Sequence, residues 1–341
     1  MSTVLQLSDF SVLYRTSRGE VRALDSVNLT VREKEFIAIV GESGCGKTTL
    51  GLATIGLLSS ATTTVASGSI LYKGVDLTKL DPNEVKNYRG SEIAMIFQEP
   101  LTSLNPLGRV GEQIAESIVL RKRKNDPTTP VKGAPRIPGQ KWKLSPELEK
   151  EVELMLTLVR IPDPDHIIER YPFELSGGMR QRVMIAMALS QQPELLIADE
   201  PTTALDVTTQ AQVLKLMKEI KDKLGTTIML VTHDLAVASQ VADRVVVMYA
   251  GQIVEDAEVH EIFSQPKHPY TKGLLSCIPT GTRDGTQLTP IAGTIPDLTL
   301  RKEWCQFQPR CPFAMEVCSR KIPQLKEVGK DHRVACFLYG E

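Results

Sequence analysis

Continuous apolar runs recur along the chain, and longer stretches with a helical pattern separate them. The runs are FIAIV at 36–40, LLIAD at 195–199, TTIMLVT at 226–232 and RVVVMY at 244–249. Runs of this length are typical of strands that are buried on both faces. Because these strands alternate with helices, the pattern predicts a mostly parallel α/β sheet. AGQIVE at 250–255 predicts the return arm of a hairpin.

The first 35 residues show a different pattern. LQLSDFSVLY at 5–14 alternates roughly between apolar and polar positions, and Ser-Arg-Gly at 17–19 follows as a turn. This pattern predicts short strands joined by turns.

Residues 121–146 are rich in Pro and Lys/Arg and show little periodicity. We interpret them as an exposed, solvated loop between two helical stretches, with an anionic-lipid or nucleic-acid contact as the alternative. The next helix is predicted to begin with Ser145 as its cap and Pro146 in its first turn. Its predicted buried stripe consists of Leu148, Val152, Met155, Leu156 and Val159.

Length and composition exclude several classes of protein. A chain of 341 residues suggests two or three domains, and Pro-rich segments after residue 256 suggest that another domain begins there. The net charge of −1 and the 5% aromatic content give no electrostatic or stacking case for a nucleic-acid partner. With no membrane-spanning apolar run and no secretory signal, we expect a cytosolic protein that docks on a membrane component.

A glycine-rich loop directly follows the strand at 36–40. It matches G-x-x-x-x-G-K-[ST] and reads Gly41, Glu42, Ser43, Gly44, Cys45, Gly46, Lys47, Thr48, Thr49. Glycines allow the backbone to wrap phosphate groups, and the N-terminus of the helix that begins near Lys47 favours anions. We therefore predict that Lys47 bridges the β- and γ-phosphates of a nucleotide and that Thr48 ligates Mg²⁺.

Two carboxylates end the strand at 195–199. We predict that Asp199 reaches Mg²⁺ and that Glu200 polarises a water for attack on the γ-phosphate. The alternative is a cap for the next helix. It is disfavoured because adjacent carboxylates at a buried strand end are costly unless a cation offsets them.

Further motifs resemble those of the ABC ATPases. Leu175 to Gln181 (LSGGMRQ) resembles their signature motif. The remaining matches are Gln98 as the Q-loop glutamine, Ala204-Leu205-Asp206 as the D-loop, His233 as the switch histidine and Tyr14 as the adenine-stacking aromatic. The resemblance implies a P-loop NTPase of the ABC type, an α/β fold with an antiparallel β subdomain and an inserted helical subdomain at about 99–190, all within residues 1–255.

The resemblance also implies how the motifs act together. Two ATPase subunits pair head to tail, so Ser176, Gly177, Gly178, Gln181 and Asp206 would serve the nucleotide bound by the partner. Gln98 would contact Mg²⁺ or the attacking water and sense the membrane subunit. His233 would contact the γ-phosphate, although an isolated histidine is more often structural. A core tyrosine is the alternative for Tyr14.

The sequence is identified more narrowly as similar to the dipeptide/oligopeptide importer ATPases. IFQEPLTSLNP, ADEPTTALDVTTQAQ, HPYTKGLLSCIP and the Cys-rich tail carry this resemblance. It implies a second, different ATPase subunit, two membrane permeases, an extracytoplasmic binding protein and a peripheral location at the cytoplasmic face of the membrane. The alternative cargoes are nickel, glutathione and archaeal-type oligosaccharides.

Two other classes of function are less consistent with the sequence. A soluble ABC ATPase acting on nucleic acid or ribosomes would usually carry two cassettes or a long coiled-coil insertion, and neither is present. A non-catalytic regulatory subunit would require a damaged motif, whereas Lys47, Ser176, Asp199, Glu200 and His233 are all in place.

Four of the six cysteines lie close together in the tail of the predicted C-terminal domain, residues 256–341: Cys305, Cys311, Cys318 and Cys336. Their spacing lacks the C-x₂₋₄-C pairs that are typical of zinc sites, whereas iron–sulfur ligands are spaced more variably. The importer resemblance implies a [4Fe–4S] cluster on these thiols; zinc and metal-free buried thiols are the alternatives. We expect the tail to lie far from the ATP site.

Overall fold

The computed structural model describes residues 2–126, 143–278, 290–299 and 303–340. The chain divides into two compact units: residues 1–85 with 229–341 form the first, and residues 86–228 form the second. Most of the predicted loop at 121–146 lies outside the described residues. The predicted domain boundary at 255 and the predicted helical subdomain stay predictions.

Twelve strands and eleven α-helices are present among the described residues. The strands are β1 Thr3–Thr16, β2 Gly19–Arg32, β3 Phe36–Val40, β4 Thr63–Tyr72, β5 Val75–Asp76, β6 Ile93–Ile96, β7 Leu195–Asp199, β8 Thr227–Thr232, β9 Arg244–Tyr249, β10 Gln252–Glu258, β11 Lys326–Gly329 and β12 His332–Val334. The helices are α1 Lys47–Thr54, α2 Pro82–Lys86, α3 Pro100–Ser103, α4 Val110–Asn125, α5 Pro146–Leu158, α6 Pro164–Ile167, α7 Gly177–Leu189, α8 Val207–Leu224, α9 Leu235–Val241, α10 Val259–Ser264 and α11 Pro269–Ser276.

The N-terminal strands form an antiparallel sheet in the order β2-β1-β4-β5. The predicted turn between β1 and β2 is confirmed, but the prediction of short strands is wrong because each strand has 14 residues. The pairing of β1 with β2 is irregular between Leu7 and Phe10. Asp9 has a φ of 45°, so the strand bends there and continues.

The remaining strands of the first unit form a mixed sheet. β3 runs parallel to β9, and β9 and β10 form the predicted antiparallel hairpin. β10 also pairs with β12, which pairs with β11. Every residue of β3 and β9 is buried, as the continuous apolar runs predict.

In the second unit, β6 runs parallel to β7, and α4, α5 and α7 pack against one another. Helix α4 continues to Asn125, so the prediction that a loop begins at 121 is wrong. The basic residues there pair with neighbouring elements: Lys122 forms an ion pair with Glu151 of α5, and Arg121 donates to the Ser190 carbonyl at 2.9 Å. Arg121 and Lys122 therefore lie on a helix and have partners within this unit.

The predicted start of α5 is confirmed. The Ser145 hydroxyl accepts a hydrogen bond from the Leu148 N–H, and Pro146 occupies the first turn. Its predicted stripe is buried except for Met155, which is half-buried. No helix in the described part of the chain is long and apolar enough to cross a membrane.

Candidate active site

The glycine-rich loop connects β3 to α1 as predicted. A side chain at Gly46 would be strained, since its φ is 103°, and its Cβ would lie 2.3 Å from the Ala23 carbonyl oxygen. A Cβ at Gly41 would lie 2.2 Å from the Met248 carbonyl oxygen. Neighbouring backbone therefore fixes the shape of the loop at both ends, and only glycine fits there.

Lys47 folds back over this loop and is buried. Its ammonium donates to the carbonyl oxygens of Gly41 at 2.8 Å and Glu42 at 3.0 Å. Thr48 is exposed in the first turn of α1, and Ser43 and Gly44 are exposed in the loop. A phosphate that enters the loop would thus compete with backbone carbonyls for the Lys47 ammonium.

Cys45 lies within the loop and is buried. Burial raises the pKa of its thiol, and the nearby Lys47 ammonium offsets only part of that effect. The side chain is therefore a neutral thiol at neutral pH and is a poor nucleophile. We assign it a packing role in the loop.

Two residues of the C-terminal region contact the second residue of the loop, Glu42. The Tyr270 hydroxyl accepts a hydrogen bond from the Glu42 N–H at 2.9 Å, and Arg310 forms a two-pronged ion pair with the Glu42 carboxylate. The expectation that the tail lies far from the ATP site is therefore wrong. Because Arg310 is 268 residues away along the chain, no local sequence pattern could have indicated this contact.

Glu200 directly follows β7 in the second unit and has a φ of 45°, an uncommon conformation for a side-chain-bearing residue. Its carboxylate accepts hydrogen bonds from the Gln98 amide at 3.2 Å and the Thr203 hydroxyl at 2.9 Å. The structure thus brings the predicted Q-loop glutamine and the predicted base together. The neighbouring Asp199 is buried.

The signature and D-loop residues lie side by side, each at the start of a helix. Ser176 caps α7 by accepting from the Met179 N–H at 3.3 Å, and Asp206 caps α8 by accepting from the Thr209 N–H at 2.9 Å. A Cβ on Gly178 would lie 2.5 Å from the Thr209 side chain. Hydrogen bonds from Thr209 lower the pKa of Asp206, so Asp206 is a carboxylate at neutral pH.

The remaining predicted site residues differ in their exposure to solvent. Ser176, Gly177 and His233 are exposed, and Tyr14 in β1 is half-buried. The Gln181 side chain is buried, and its amide nitrogen has no hydrogen-bond partner among the described residues. The predicted nucleotide contacts of all five stay predictions.

The four tail cysteines lie near one another. Burial is the main cause of the raised pKa of Cys305, which is about 11, and Cys318 and Cys336 raise it further. Burial is also the main cause of the raised pKa values of Cys311 and Cys336; Cys318 raises that of Cys311 further, and Cys311 and then Cys318 raise that of Cys336. The described residues nevertheless contain no group of three or more His, Cys, Asp or Glu side chains arranged to hold a metal ion. The [4Fe–4S] ligand set of Cys305, Cys311, Cys318 and Cys336 stays a prediction.

Comparison with solved structures supports the interpretation of this chain as an ATP-binding cassette. An ATP-binding cassette solved as a dimer in a post-hydrolysis state with ADP and Pi is 26% identical with a TM-score of 0.61, covering 75% of this chain and 98% of that one. The cbiO1 protein from Clostridium perfringens, part of an ABC transporter complex, is 27% identical with a TM-score of 0.62, covering 78% of this chain and 92% of that one.

Sequence comparison extends the match to almost the whole chain. The family model "ABC transporter" matches residues 24–203, and "Oligopeptide/dipeptide transporter, C-terminal region" matches residues 254–318. The dipeptide transport ATP-binding protein DppD of Bacillus subtilis is 46% identical, covering 99% of this chain and 95% of DppD. The oligopeptide transport ATP-binding protein OppD of Escherichia coli is 42% identical, covering 98% and 93%.

The chain therefore belongs to the ABC transporter family and is an ATPase of that type. Within that family, it belongs to the ATP-binding proteins of the oligopeptide/dipeptide transporter group.

Proposed function

We propose that this chain hydrolyses ATP to power an importer of dipeptides or oligopeptides. The observation that carries the proposal is the similarity, over nearly the full chain, to ATP-binding proteins of dipeptide and oligopeptide transport. The shared C-terminal region at 254–318 favours this group over other ABC ATPases. Nickel, glutathione and oligosaccharides are the cargo alternatives that an uptake assay would test.

The proposed chemistry assigns a role to each predicted residue. Lys47 and the loop amides bind the phosphates, and Tyr14 stacks on the adenine. Thr48, Gln98 and Asp199 would hold Mg²⁺, which neutralises charge on the β- and γ-phosphates. The donor set suits Mg²⁺, because hydroxyl, amide and carboxylate oxygens are the ligands that this ion prefers.

Glu200 is the proposed general base and His233 the proposed γ-phosphate contact. The hydrogen bonds of Gln98 and Thr203 to the Glu200 carboxylate support this assignment, because they orient the carboxylate. A carboxylate held by two donors loses little freedom when the water binds. Catalysis would then depend on positioning as much as on basicity.

We further propose a head-to-tail pair with a second, homologous ATPase subunit, both docked on two membrane permeases that receive cargo from an extracytoplasmic binding protein. The chain would then lie peripherally at the cytoplasmic face of the membrane. The exposed Ser176 and Gly177 at the start of α7 support this pairing, because free N–H groups at a helix N-terminus bind phosphate. Asp206 lies beside them, where it would face the partner subunit.

The monomeric chain is expected to bind ATP but to hydrolyse it slowly, because the signature residues would come from another subunit. Adding the partner ATPase and the two permeases should raise the rate by at least about tenfold. In vesicles, binding protein loaded with peptide should drive uptake, and glutathione or oligosaccharide should not. Fast turnover by a preparation that sediments strictly as a monomer would contradict the pairing.

We also propose that the four tail cysteines hold a [4Fe–4S] cluster. Their donor chemistry fits, because four thiols lie near enough to affect one another's pKa within one short tail. The Met315 N–H donates to the Cys318 sulfur at 3.4 Å, a type of contact that tunes such clusters. Cys305, Cys311, Cys318 and Cys336 would hold the cluster as thiolates, so their protons would be released when it binds.

Protein purified without oxygen is expected to be brown, with about four irons and four sulfides per chain. Cys311→Ser should lose the colour and the iron, whereas Cys277→Ser, which changes an exposed cysteine outside the set, should keep both. Colourless protein with stoichiometric zinc would replace the cluster by a zinc site. If the wild type contained no metal and Cys311→Ser melted at the same temperature as the wild type, both the cluster and the zinc site would be excluded.

A further inference from the structure

We infer that Arg310 and Tyr270 of the C-terminal region are positioning residues for the phosphate-binding loop, and that they set its affinity for ATP through Glu42. This inference rests on the proposed role of the loop in binding ATP. It adds to the cassette two residues that lie outside the residues matched by the ABC transporter model, 24–203. The C-terminal region would then act directly on nucleotide binding.

The first contact is a fork of two parallel hydrogen bonds. Arg310 Nη1 donates to Glu42 Oε2 at 2.7 Å, and Nη2 donates to Oε1 at 3.0 Å. The side chain of Arg310 is only 4% exposed and that of Glu42 30% exposed, so solvent screens this pair less than a surface pair. The two-pronged geometry also fixes the direction of the carboxylate, which a single contact would not.

The second contact holds the backbone of the same residue. The Tyr270 hydroxyl accepts from the Glu42 N–H at 2.9 Å, while the Glu42 carbonyl oxygen accepts from Lys47 Nζ at 3.0 Å. Side chain, N–H and carbonyl of Glu42 are thus all engaged. The C-terminal region supplies two of these contacts, and the third comes from the proposed phosphate-binding lysine.

Both positioning residues are themselves held firmly. Tyr270, Tyr249 and Phe307 are almost fully buried, and their ring centroids lie 4.7 to 5.4 Å apart. Arg310 Cζ lies 5.7 Å from the Tyr249 ring centroid, and Arg310 Nε donates to the Ala292 carbonyl at 2.9 Å. Because these side chains are closely packed, a displacement of the tail would also move Arg310 and Tyr270, and with them the loop.

The start of the Tyr270 helix is anchored in the sheet. Glu255 of β10 accepts from the N–H groups of Lys267 at 2.6 Å and His268 at 2.9 Å, and His268 Nδ1 accepts from the Tyr270 N–H at 3.0 Å. Burial lowers the pKa of His268 to about 4, so its ring is neutral at physiological pH and remains able to accept this bond. The His-Pro-Tyr sequence at 268–270 thus aims the tyrosine hydroxyl at the loop.

The test is a double-mutant cycle on the full chain, with MgATP titrated by calorimetry. Arg310→Gln is expected to weaken ATP binding about tenfold, within the range of coupling energies between residues in contact. In a Glu42→Gln background, the same change should alter the Kd by less than about twofold, because its target is already lost. Tyr270→Phe, which keeps the ring, should weaken binding severalfold, and Arg310→Lys should restore part of the affinity.

Arg320→Gln is the matched control. It removes another arginine–glutamate pair of the same tail, but one whose side chains are 70% and 77% exposed, so ATP binding should not change. If Arg310→Gln does not fold, Tyr270→Phe and Arg310→Lys remain as tests. Wild-type affinity in the folded Arg310 and Tyr270 variants would overturn the inference, as would an undiminished effect of Arg310→Gln in the Glu42→Gln background. If wild type bound no more ATP than Lys47→Ala, the proposed role of the loop would fail first.

Discussion

Replacing Glu200 with Gln is expected to lower ATP turnover of the assembled transporter by about 100-fold or more while ATP still binds. The amide has nearly the shape of the carboxylate but cannot accept a proton from the attacking water. Its oxygen still accepts the Thr203 hydroxyl, which lies 2.9 Å from Glu200. The left-handed backbone at residue 200 is also as strained for Gln as for Glu, so the local structure should persist.

The measurement is phosphate release by the assembled transporter, compared with the ATP Kd of the same preparation. Glu219→Gln is the control, because Glu219 is a half-exposed residue of α8 that pairs with Arg160 and has no proposed part in the chemistry. That variant should turn over ATP at the normal rate. Normal turnover by Glu200→Gln would show that the base had been misassigned, and loss of ATP binding would show that Glu200 serves the structure instead.

Some parts of this fold follow directly from local pattern. The bounds of β3, β7 and β9 agree with the predicted runs, because every residue of these strands is buried and the runs are almost continuously apolar. The start of α5 was equally predictable, since a capping serine and a first-turn proline act within four residues.

Other parts of the fold depend on contacts between residues that are far apart in the sequence. Short strands are predicted for the first 35 residues, yet the pairing with β2 and β4 continues β1 through the irregularity at Asp9. The basic end of α4 has the composition of a loop, yet Glu151 and the Ser190 carbonyl provide partners for its cations. In both places tertiary contacts override local composition.

The candidate site shows the same division. The glycine-rich loop and the two carboxylates at the end of β7 could be located from the sequence, because each lies at the end of a continuous apolar strand. The hydrogen bond between Gln98 and Glu200 joins residues 102 positions apart, and the pair between Arg310 and Glu42 joins residues 268 positions apart. Sequence motifs indicated Gln98, Glu200 and Glu42 but not Arg310, and only the folded chain shows which of these residues are in contact.

The largest effect on stability is expected at Arg244, the first residue of β9. Its Nε donates to Glu35 at 2.7 Å, its Nη1 donates to Asp256 at 3.1 Å, and its Nη2 donates to the Thr30 carbonyl. Arg244, Glu35 and Asp256 are all buried. One buried guanidinium thus pairs with two buried carboxylates and donates to a carbonyl, in a place where water cannot readily replace these partners.

Arg244→Met is therefore expected to lower the free energy of unfolding by about 3–5 kcal/mol. Met fills much of the same space, so most of the loss would come from the buried charge left on Glu35, while Arg333 still pairs with Asp256. The measurement is denaturant unfolding of the full chain. Arg32→Met is the matched control: its pair with Asp331 is about 40% exposed on both sides and should contribute no more than about 1 kcal/mol. If both variants lost the same free energy of unfolding, burial would not make the Arg244 interactions more stabilising than an exposed pair. A loss below about 1 kcal/mol in Arg244→Met would mean that Glu35 finds another partner when the arginine is gone.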